Sequence, residues 1–224
     1  CPLAGVCTTE SFDVTPYADG ATQFLLGHPD CQDFGRKFKI AFSGCAHEAC
    51  GLTAMHDVGV IAKVEDDKRG FEFYVGGGLG AVPHQAKLFY DFLPVEELLP
   101  MIQSIARVFA RLGEKNNRAR ARLKFLIAKT GLEEFKTLVE EERKILPEDA
   151  GWTAYLADID SVAETPLKDA ISLNGVAKSE AFTEWYATNV YAQRQPGYAV
   201  VSVTLPLGDA TADQFRLMAD LARK

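Results

Sequence analysis

The stretch Arg36-Lys37-Phe38-Lys39-Ile40-Ala41-Phe42-Ser43-Gly44-Cys45 sets two lysines, two residues apart, in an apolar run that leads into Cys45-Ala46-His47-Glu48-Ala49-Cys50. Lys37, Lys39, Ala41 and Ser43 alternate with Phe38, Ile40 and Phe42, which predicts a strand over Lys37–Ser43 with both ammonium groups on one face. Inward ammonium groups in an apolar strand are costly to desolvate without an anion to meet them. Thiolates a few residues later are the ligand type that soft iron or zinc centres select. Cations beside a thiolate-held metal describe a centre that handles small anions.

The other residues with chemical potential fall into three groups. Four of the five cysteines form two pairs, Cys1-x5-Cys7 and Cys45-x4-Cys50, with Cys31 between them. Neither pair has the two-residue spacing of zinc ribbons. Iron–sulfur clusters accept wider spacing, because four thiolates must reach four corners of a cube a few ångströms across. An odd cysteine count fits poorly with a secreted disulfide framework, while burial as small hydrophobes stays open beside metal ligation. The run Gly76-Gly77-Gly78-Leu79-Gly80 lacks the Lys-Ser/Thr of a phosphate-binding loop. It reads either as a strand end needing positive φ or as backbone packed against a flat cofactor or an anion. Finally, a basic helix is predicted from about Asn117 to Lys129, with Arg118 and Arg122 one turn apart on one face. That face is either solvated or a bidentate clamp for carboxylates. The four histidines, His28, His47, His56 and His84, show no ligand spacing with one another.

These groups need elements to position them. Ala18 to Leu26 reads as a short helix, Asp57–Val64 and Phe71–Val75 as strands of a hairpin across the polar turn Glu65–Gly70. Leu98, Leu99, Ile102, Ile105, Ala106 and Phe109 form the stripe of an amphipathic helix that opens at Pro94-Val95 and stops at Gly113. Leu132, Phe135, Leu138 and Val139 mark another helix, ending near Pro147. Residues 148–181 read as a connector. A second unit starts near Phe182, with a strand over Tyr198–Val203, a turn and cap at Gly208-Asp209 and a helix over Thr211–Ala222. The domains expected are therefore 1–147, a connector 148–181, and a partial unit 182–224, in an α+β (mixed α/β) fold.

With 224 residues, 47% hydrophobic and 25% charged, the composition is that of an ordinary globular protein. The net charge of −7 argues against nucleic acid as a partner. No apolar run approaches the roughly 18 residues of a membrane span, so no membrane partner is expected and the cytoplasm is the default location. A start at Cys1 rather than methionine, and a second unit with only one strand and one helix, read as a piece of a longer protein.

Together these stretches resemble the sirohaem-dependent nitrite and sulfite reductase family over roughly Cys1 to Glu142. Pro2-Leu3-Ala4-Gly5-Val6 with Phe12-Asp13-Val14 resembles the start of the family's catalytic repeat. Arg36-Lys37-Phe38-Lys39, Phe71 to Leu79, Asn117 to Gly131 and Glu134-Phe135 follow in family order. Residues from Phe182, including Gln195-Pro196-Gly197-Tyr198, resemble the opening of the next ferredoxin-like half-unit. The resemblance implies a mixed α/β half around a sirohaem bridged through cysteine to a [4Fe–4S] cluster. It implies six-electron reduction of sulfite or nitrite, with ferredoxin or a reductase subunit as electron donor and the remaining half of the parent enzyme as partner. By the same resemblance, Lys37 and Lys39 face the open axial position of the sirohaem iron, bind the anion and supply protons. Two lysines there point to sulfite, since nitrite-type members often carry asparagine at the position of Lys39. Arg122, and less closely Arg118, match positions that meet sirohaem carboxylates, and Gly76, Gly77 and Gly78 match the cofactor-facing turn.

One departure from the family pattern concerns the cysteines. Well-known members carry their cluster ligands in the other half, with x5 and x3 spacings. Here Cys1, Cys7, Cys45 and Cys50 lie in the half that carries the lysines, so they either hold a cluster or are remnants of the duplication. In the family pattern the last of them, Cys50, bridges to the sirohaem. Two other classes compete with the enzyme reading: a non-catalytic Fe–S electron-transfer or docking module, and a zinc-stabilised domain without redox function.

Overall fold

The computed structural model describes residues 1–48, 50–157, 159, 165–170 and 179–223. The chain divides into two compact units, Cys1–Leu167 and Lys168–Lys224.

The first unit is built on a four-stranded mixed sheet of β1 (Ile40–Ser43), β2 (Val58–Glu65), β3 (Lys68–Val75) and β4 (Lys87–Pro94), in that spatial order. β1 runs parallel to β2, with Ile40 opposite Val58, and the remaining pairs are antiparallel. Asp66 and Asp67, with φ of 48° and 60°, turn β2 into β3 as a two-residue loop between the paired Glu65 and Lys68. Two successive left-handed residues match the twist of the flanking strands, and aspartate tolerates that conformation better than most side chains.

Among the described residues, five α-helices complete the unit: α1 (Thr15–Leu25), α2 (Leu98–Leu112), α3 (Leu123–Thr130), α4 (Leu132–Ile145) and α5 (Gly151–Ala154). Val58, Val60, Phe71, Phe73 and Val75 of the sheet share one core with Leu98, Ile102, Ile105 and Phe109 of α2 and with Phe135 and Val139 of α4. Beside that core sits a buried carboxylate, Glu142, which accepts from Arg107 Nε at 2.6 Å and from Arg111 Nη1 at 2.8 Å. Gln103 donates to Asp30 and accepts from the Trp152 indole at 2.7 Å, which fastens α5 to α2. Leu156 and Ile159 also pack against the core. Residues 148–157, 159 and 165–167 of the expected connector thus fall in the first compact unit, which ends at Leu167; residues 158, 160–164 and 171–178 of the connector lie outside the described residues.

Three local expectations need correction. The strand predicted from Lys37 begins at Ile40, because only from there does β2 offer a partner. The helix predicted from Asn117 begins at Leu123, for reasons that belong to the site below. β4 was not anticipated: its aromatic-rich run, Lys87-Leu88-Phe89-Tyr90-Asp91-Phe92-Leu93-Pro94, has no clean alternation, and its pairing with β3 carries register shifts between Phe71 and Tyr74.

The second unit comprises α6 (Glu180–Asn189), the antiparallel hairpin β5 (Val190–Ala192) and β6 (Ala199–Val201), and α7 (Ala212–Arg223). Thr211 and Gln214 cap α7 reciprocally, the Thr211 hydroxyl accepting from Gln214 N at 3.2 Å and Gln214 Oε1 accepting from Thr211 N at 2.8 Å. The cap is therefore Thr211, not Gly208-Asp209. None of the described residues of this unit is buried, and Trp185, Phe215, Leu217 and Leu221 are exposed.

Candidate functional site

Asp57 organises one end of the sheet. It is the residue before β2 and fully buried, and its carboxylate accepts from the Lys39 backbone N–H at 2.9 Å. Its carbonyl accepts from Gly76 N at 2.8 Å, so the strand leading out of Lys39, the start of β2 and the glycine run at the end of β3 meet on one residue. The Arg122 guanidinium closes on the same carboxylate bidentately, Nε to Oδ1 at 3.0 Å and Nη2 to Oδ2 at 2.7 Å. Burial pushes the Asp57 carboxyl up from the ordinary carboxylate range, and the Arg122 fork and the Lys39 amide pull it back.

This pairing explains why residues 117–122 are not helical. Arg122 is extended (φ −131°, ψ 150°) so that its side chain reaches Asp57. Upstream, Asn117 accepts from Ala119 N at 3.1 Å through its side chain and from Arg120 N at 2.9 Å through its carbonyl. Asparagine offers the backbone that local alternative to helix. Arg118 and Arg122 therefore do not share a helical face: Arg122 is committed to Asp57, while Arg118 is exposed.

The triple glycine is explained by packing within the chain. A Cβ on Gly77 would lie 2.6 Å from the His56 carbonyl oxygen and 2.7 Å from that of Ala54, and Gly76 has φ +83°. At Gly78 the same atom would meet Lys124 Cδ at 3.1 Å and Arg122 Nη2 at 3.5 Å. Lys124, nearly inaccessible, aims its ammonium at the carbonyls of Gly78 (3.4 Å), Leu79 (3.0 Å) and Val82 (2.5 Å). Burial and the neighbouring Arg122 charge draw its pKa below the ordinary lysine range. Asp57 and Lys124 were both missed in the sequence. The one signal for Asp57 is a lone carboxylate opening an otherwise apolar strand, and Lys124 is hidden in a basic run.

Lys37 and Lys39 are exposed in this chain, not buried on an inward strand face. Arg36, Lys37, Lys39 and Arg118 have no carboxylate partner to their side chains among the described residues. Lys37 and Arg36 line a cavity of about 500 Å³ between α1 and β1, floored by Phe38, Ile40 and Phe42; Lys39 does not line it. Cys31 opens onto the same cavity, and burial followed by the Asp30 charge pushes its thiol up to about 11.

Cys7, Cys45 and Cys50 lie near one another at the far end of β1, where the Cys1 backbone is also tied. Cys45 is buried, and Thr9 Oγ1 lies 3.6 Å from its Sγ and 3.2 Å from Cys7 Sγ. Cys50 Sγ donates to Glu48 at 3.7 Å, and its thiol is pushed up by burial first, then by Glu48, Cys45 and Cys7. The Cys1 amino group donates to the Phe42 carbonyl at 2.9 Å, three residues before Cys45. All five cysteines are thiols with no disulfide. The four residues of β1 separate these thiols from Lys39 by roughly 13 Å of extended chain. No three histidine, cysteine, aspartate or glutamate side chains among the described residues converge tightly enough for a single metal ion. Cys7, Cys45 and Cys50, brought near one another by the fold, are the soft donor type that an iron–sulfur cluster takes.

The sequence profile described as the nitrite and sulphite reductase 4Fe-4S domain matches residues 1–145. The chain belongs to this family. It is 32% identical over 184 residues to sulfite reductase (ferredoxin) 1 of Mycolicibacterium paratuberculosis, covering 79% of this chain and 30% of that protein. To the chloroplastic ferredoxin–nitrite reductase of Arabidopsis thaliana it is 26% identical over 226 residues, 99% of this chain and 35% of that protein. The structure of the Mycobacterium tuberculosis NirA protein superposes with a TM-score of 0.59 at 32% identity, over 66% of this chain and 27% of that one. The mixed α/β fold expected from the sequence is thus the family's fold. The chain spans about a third of the length of these relatives. No helix among the described residues is long and apolar enough to cross a membrane.

Proposed function

We propose that this family member works in a sirohaem-dependent reductase of sulfite, or alternatively nitrite, with Lys37 and Lys39 gripping the anion. The observation that carries this reading is the exposed group Arg36, Lys37 and Lys39, three cations within four residues with no carboxylate partner to their side chains among the described residues, in a chain of net charge −7. Unpaired cations occur elsewhere on this chain, but three side by side concentrate positive potential locally, which suits an anion. A sirohaem with its carboxylates and an oxyanion substrate have that chemistry. When bound, the prosthetic groups supply the metal that holds sulfur or nitrogen and the electrons passed singly to it.

The residues of this chain do the rest. Asp57 fixes the Lys39 backbone, and with it the direction in which the lysine segment leaves β1. Arg122 favours the charged form of Asp57 and holds it in place, and is thereby a positioning residue for Lys39 rather than an open carboxylate clamp. Arg118 remains available to a carboxylate. Gly76, Gly77 and Gly78 let the turn close on Lys124 and Arg122 and so shape the surface beside them. Lys37 and Lys39 neutralise the bound anion and present acidic protons to oxygens that leave as water. Cys1, Cys7, Cys45 and Cys50 are the ligand set for a [4Fe–4S] cluster, with ferredoxin or a reductase subunit as the electron donor. The unpaired cations disfavour a module that only transfers electrons, which needs no anion site.

Replacing Lys37 or Lys39 by methionine in the full-length protein tests this. Sulfite turnover should fall about 10²-fold, the scale for losing one preorganised charge-stabilising donor, at unchanged sirohaem and iron content. Unchanged turnover in both variants rejects the role.

A further inference from the structure

We propose that the Thr9 hydroxyl, lodged between Cys7 and Cys45, raises the reduction potential of the cluster held by these thiols. This rests on the cluster reading above and adds a residue to it. Thr9 lies two residues beyond Cys7, where contact with Cys7 Sγ at 3.2 Å is local. Its contact with Cys45 Sγ, at 3.6 Å, spans 36 residues and exists only because the N-terminal segment folds onto the end of β1. Two neighbouring interactions hold that segment: the Cys1 amino group on the Phe42 carbonyl and Ser11 N on the Gly44 carbonyl at 2.7 Å. The hydroxyl is therefore positioned by the fold, and a β-branched side chain has few rotamers in which to leave.

Ligating sulfurs are deprotonated, so Cys7 brings no proton to this contact and the hydroxyl becomes the donor. With one proton it serves one sulfur at a time, Cys7 at 3.2 Å or Cys45 at 3.6 Å, and both belong to the proposed ligand set. Thr9 is exposed but Cys45 is buried, so their contact is partly sheltered from water, and a hydrogen bond to charge is stronger there than in the open. When one electron enters from the donor protein, no bond forms or breaks and the extra negative charge spreads onto the ligand sulfurs. A donor aimed at one of them favours the reduced form, and hydrogen bonds to sulfur are among the levers that set cluster potentials.

The test uses the full-length holoprotein and reads the cluster midpoint by a spectroscopically monitored redox titration, alongside iron and acid-labile sulfide analysis. Thr9→Val should keep its iron and sulfide and shift the midpoint negative by about 59 mV, which is a tenfold change in a one-electron equilibrium. Thr9→Ser, which retains the donor, should stay near the parent. Thr9→Ala must move in the same direction as Thr9→Val, which guards against a packing artefact of the valine methyl. A full cluster with an unchanged midpoint in both hydroxyl-less variants overturns the role of Thr9, as does a Thr9→Ser shift as large as that of Thr9→Val. Failure of the underlying reading appears elsewhere: Cys45→Ser with undiminished iron and sulfide removes the cluster from these thiols, and the Thr9 proposal with it.

Discussion

Breaking the Asp57–Arg122 pair should destabilise the first unit more than any surface substitution. Arg122→Met leaves a fully buried carboxylate with a single remaining donor, the Lys39 amide, in place of three. The desolvation of that carboxylate is incurred in parent and variant alike, so removing one partner exposes its full cost, about 3–5 kcal/mol. With a total stability of roughly 5–15 kcal/mol for a domain, that is a large fraction. It corresponds to a fall in Tm of roughly 6–20 °C at this size. Asp57→Asn should behave similarly, because a neutral amide keeps the shape but leaves the guanidinium without its charge partner. The double variant Asp57→Leu/Arg122→Met removes both charges and should lose less than the sum of Asp57→Leu and Arg122→Met, by a coupling of about 1–3 kcal/mol. Urea titration followed by circular dichroism measures all of these, with the slope expected to stay constant. Singles within about 1 kcal/mol of the parent, or a double that equals the sum, would refute the account of this pair as the anchor of the site.

Two further outcomes follow from local geometry. Gly77→Ala should cost about 2–3 kcal/mol and Gly78→Ala about 1 kcal/mol, because the first Cβ meets two backbone oxygens at 2.6 and 2.7 Å while the second meets only side-chain atoms, the Lys124 methylenes from 3.1 Å and Arg122 Nη2 at 3.5 Å; equal losses in thermal unfolding would contradict this. Cys31, with its thiol pushed up to about 11, should be alkylated by iodoacetamide slowly at pH 8 and about tenfold faster per pH unit until that value. Mass spectrometry showing labelling at the rate of an ordinary exposed thiol at pH 8 would sink it.

The elements legible in the sequence were those in which local pattern and tertiary demand agree. α2 carries its apolar stripe from Leu98 to Phe109 and stops at Gly113, and the β2–β3 hairpin combines apolar strands with a turn that tolerates left-handed residues. The site was less legible, because its decisive contact joins residues 65 apart in sequence: nothing near Arg122 announces Asp57. The same contact defeated the helix expected over Asn117–Arg122, where residue types alone allow a helical turn but a buried ion pair requires extended backbone. Thr9 was invisible for a similar reason, since its link to Cys45 depends on the folding of the N-terminal segment against β1. The lysines were recognisable by type, yet their exposure was not, because alternation continues through Lys37 and Lys39 after strand pairing has ended.

Those lysines are held differently from the other cations of the site. Lys124 and Arg122 are buried and fully engaged, one with three carbonyls and the other with a carboxylate, so both serve the shape of the glycine turn. Lys37, Lys39 and Arg118 are exposed, and the first two extend from a strand end whose backbone direction Asp57 sets. Burying the anchors while leaving the outer cations unpaired separates two tasks that compete when one residue does both: a cation that is neutralised internally cannot also grip an anion. The anion role proposed for Lys37 and Lys39 therefore requires a second surface against these exposed cations. The dry environment that makes an ammonium a strong anion ligand must then come from that covering group, not from this sheet.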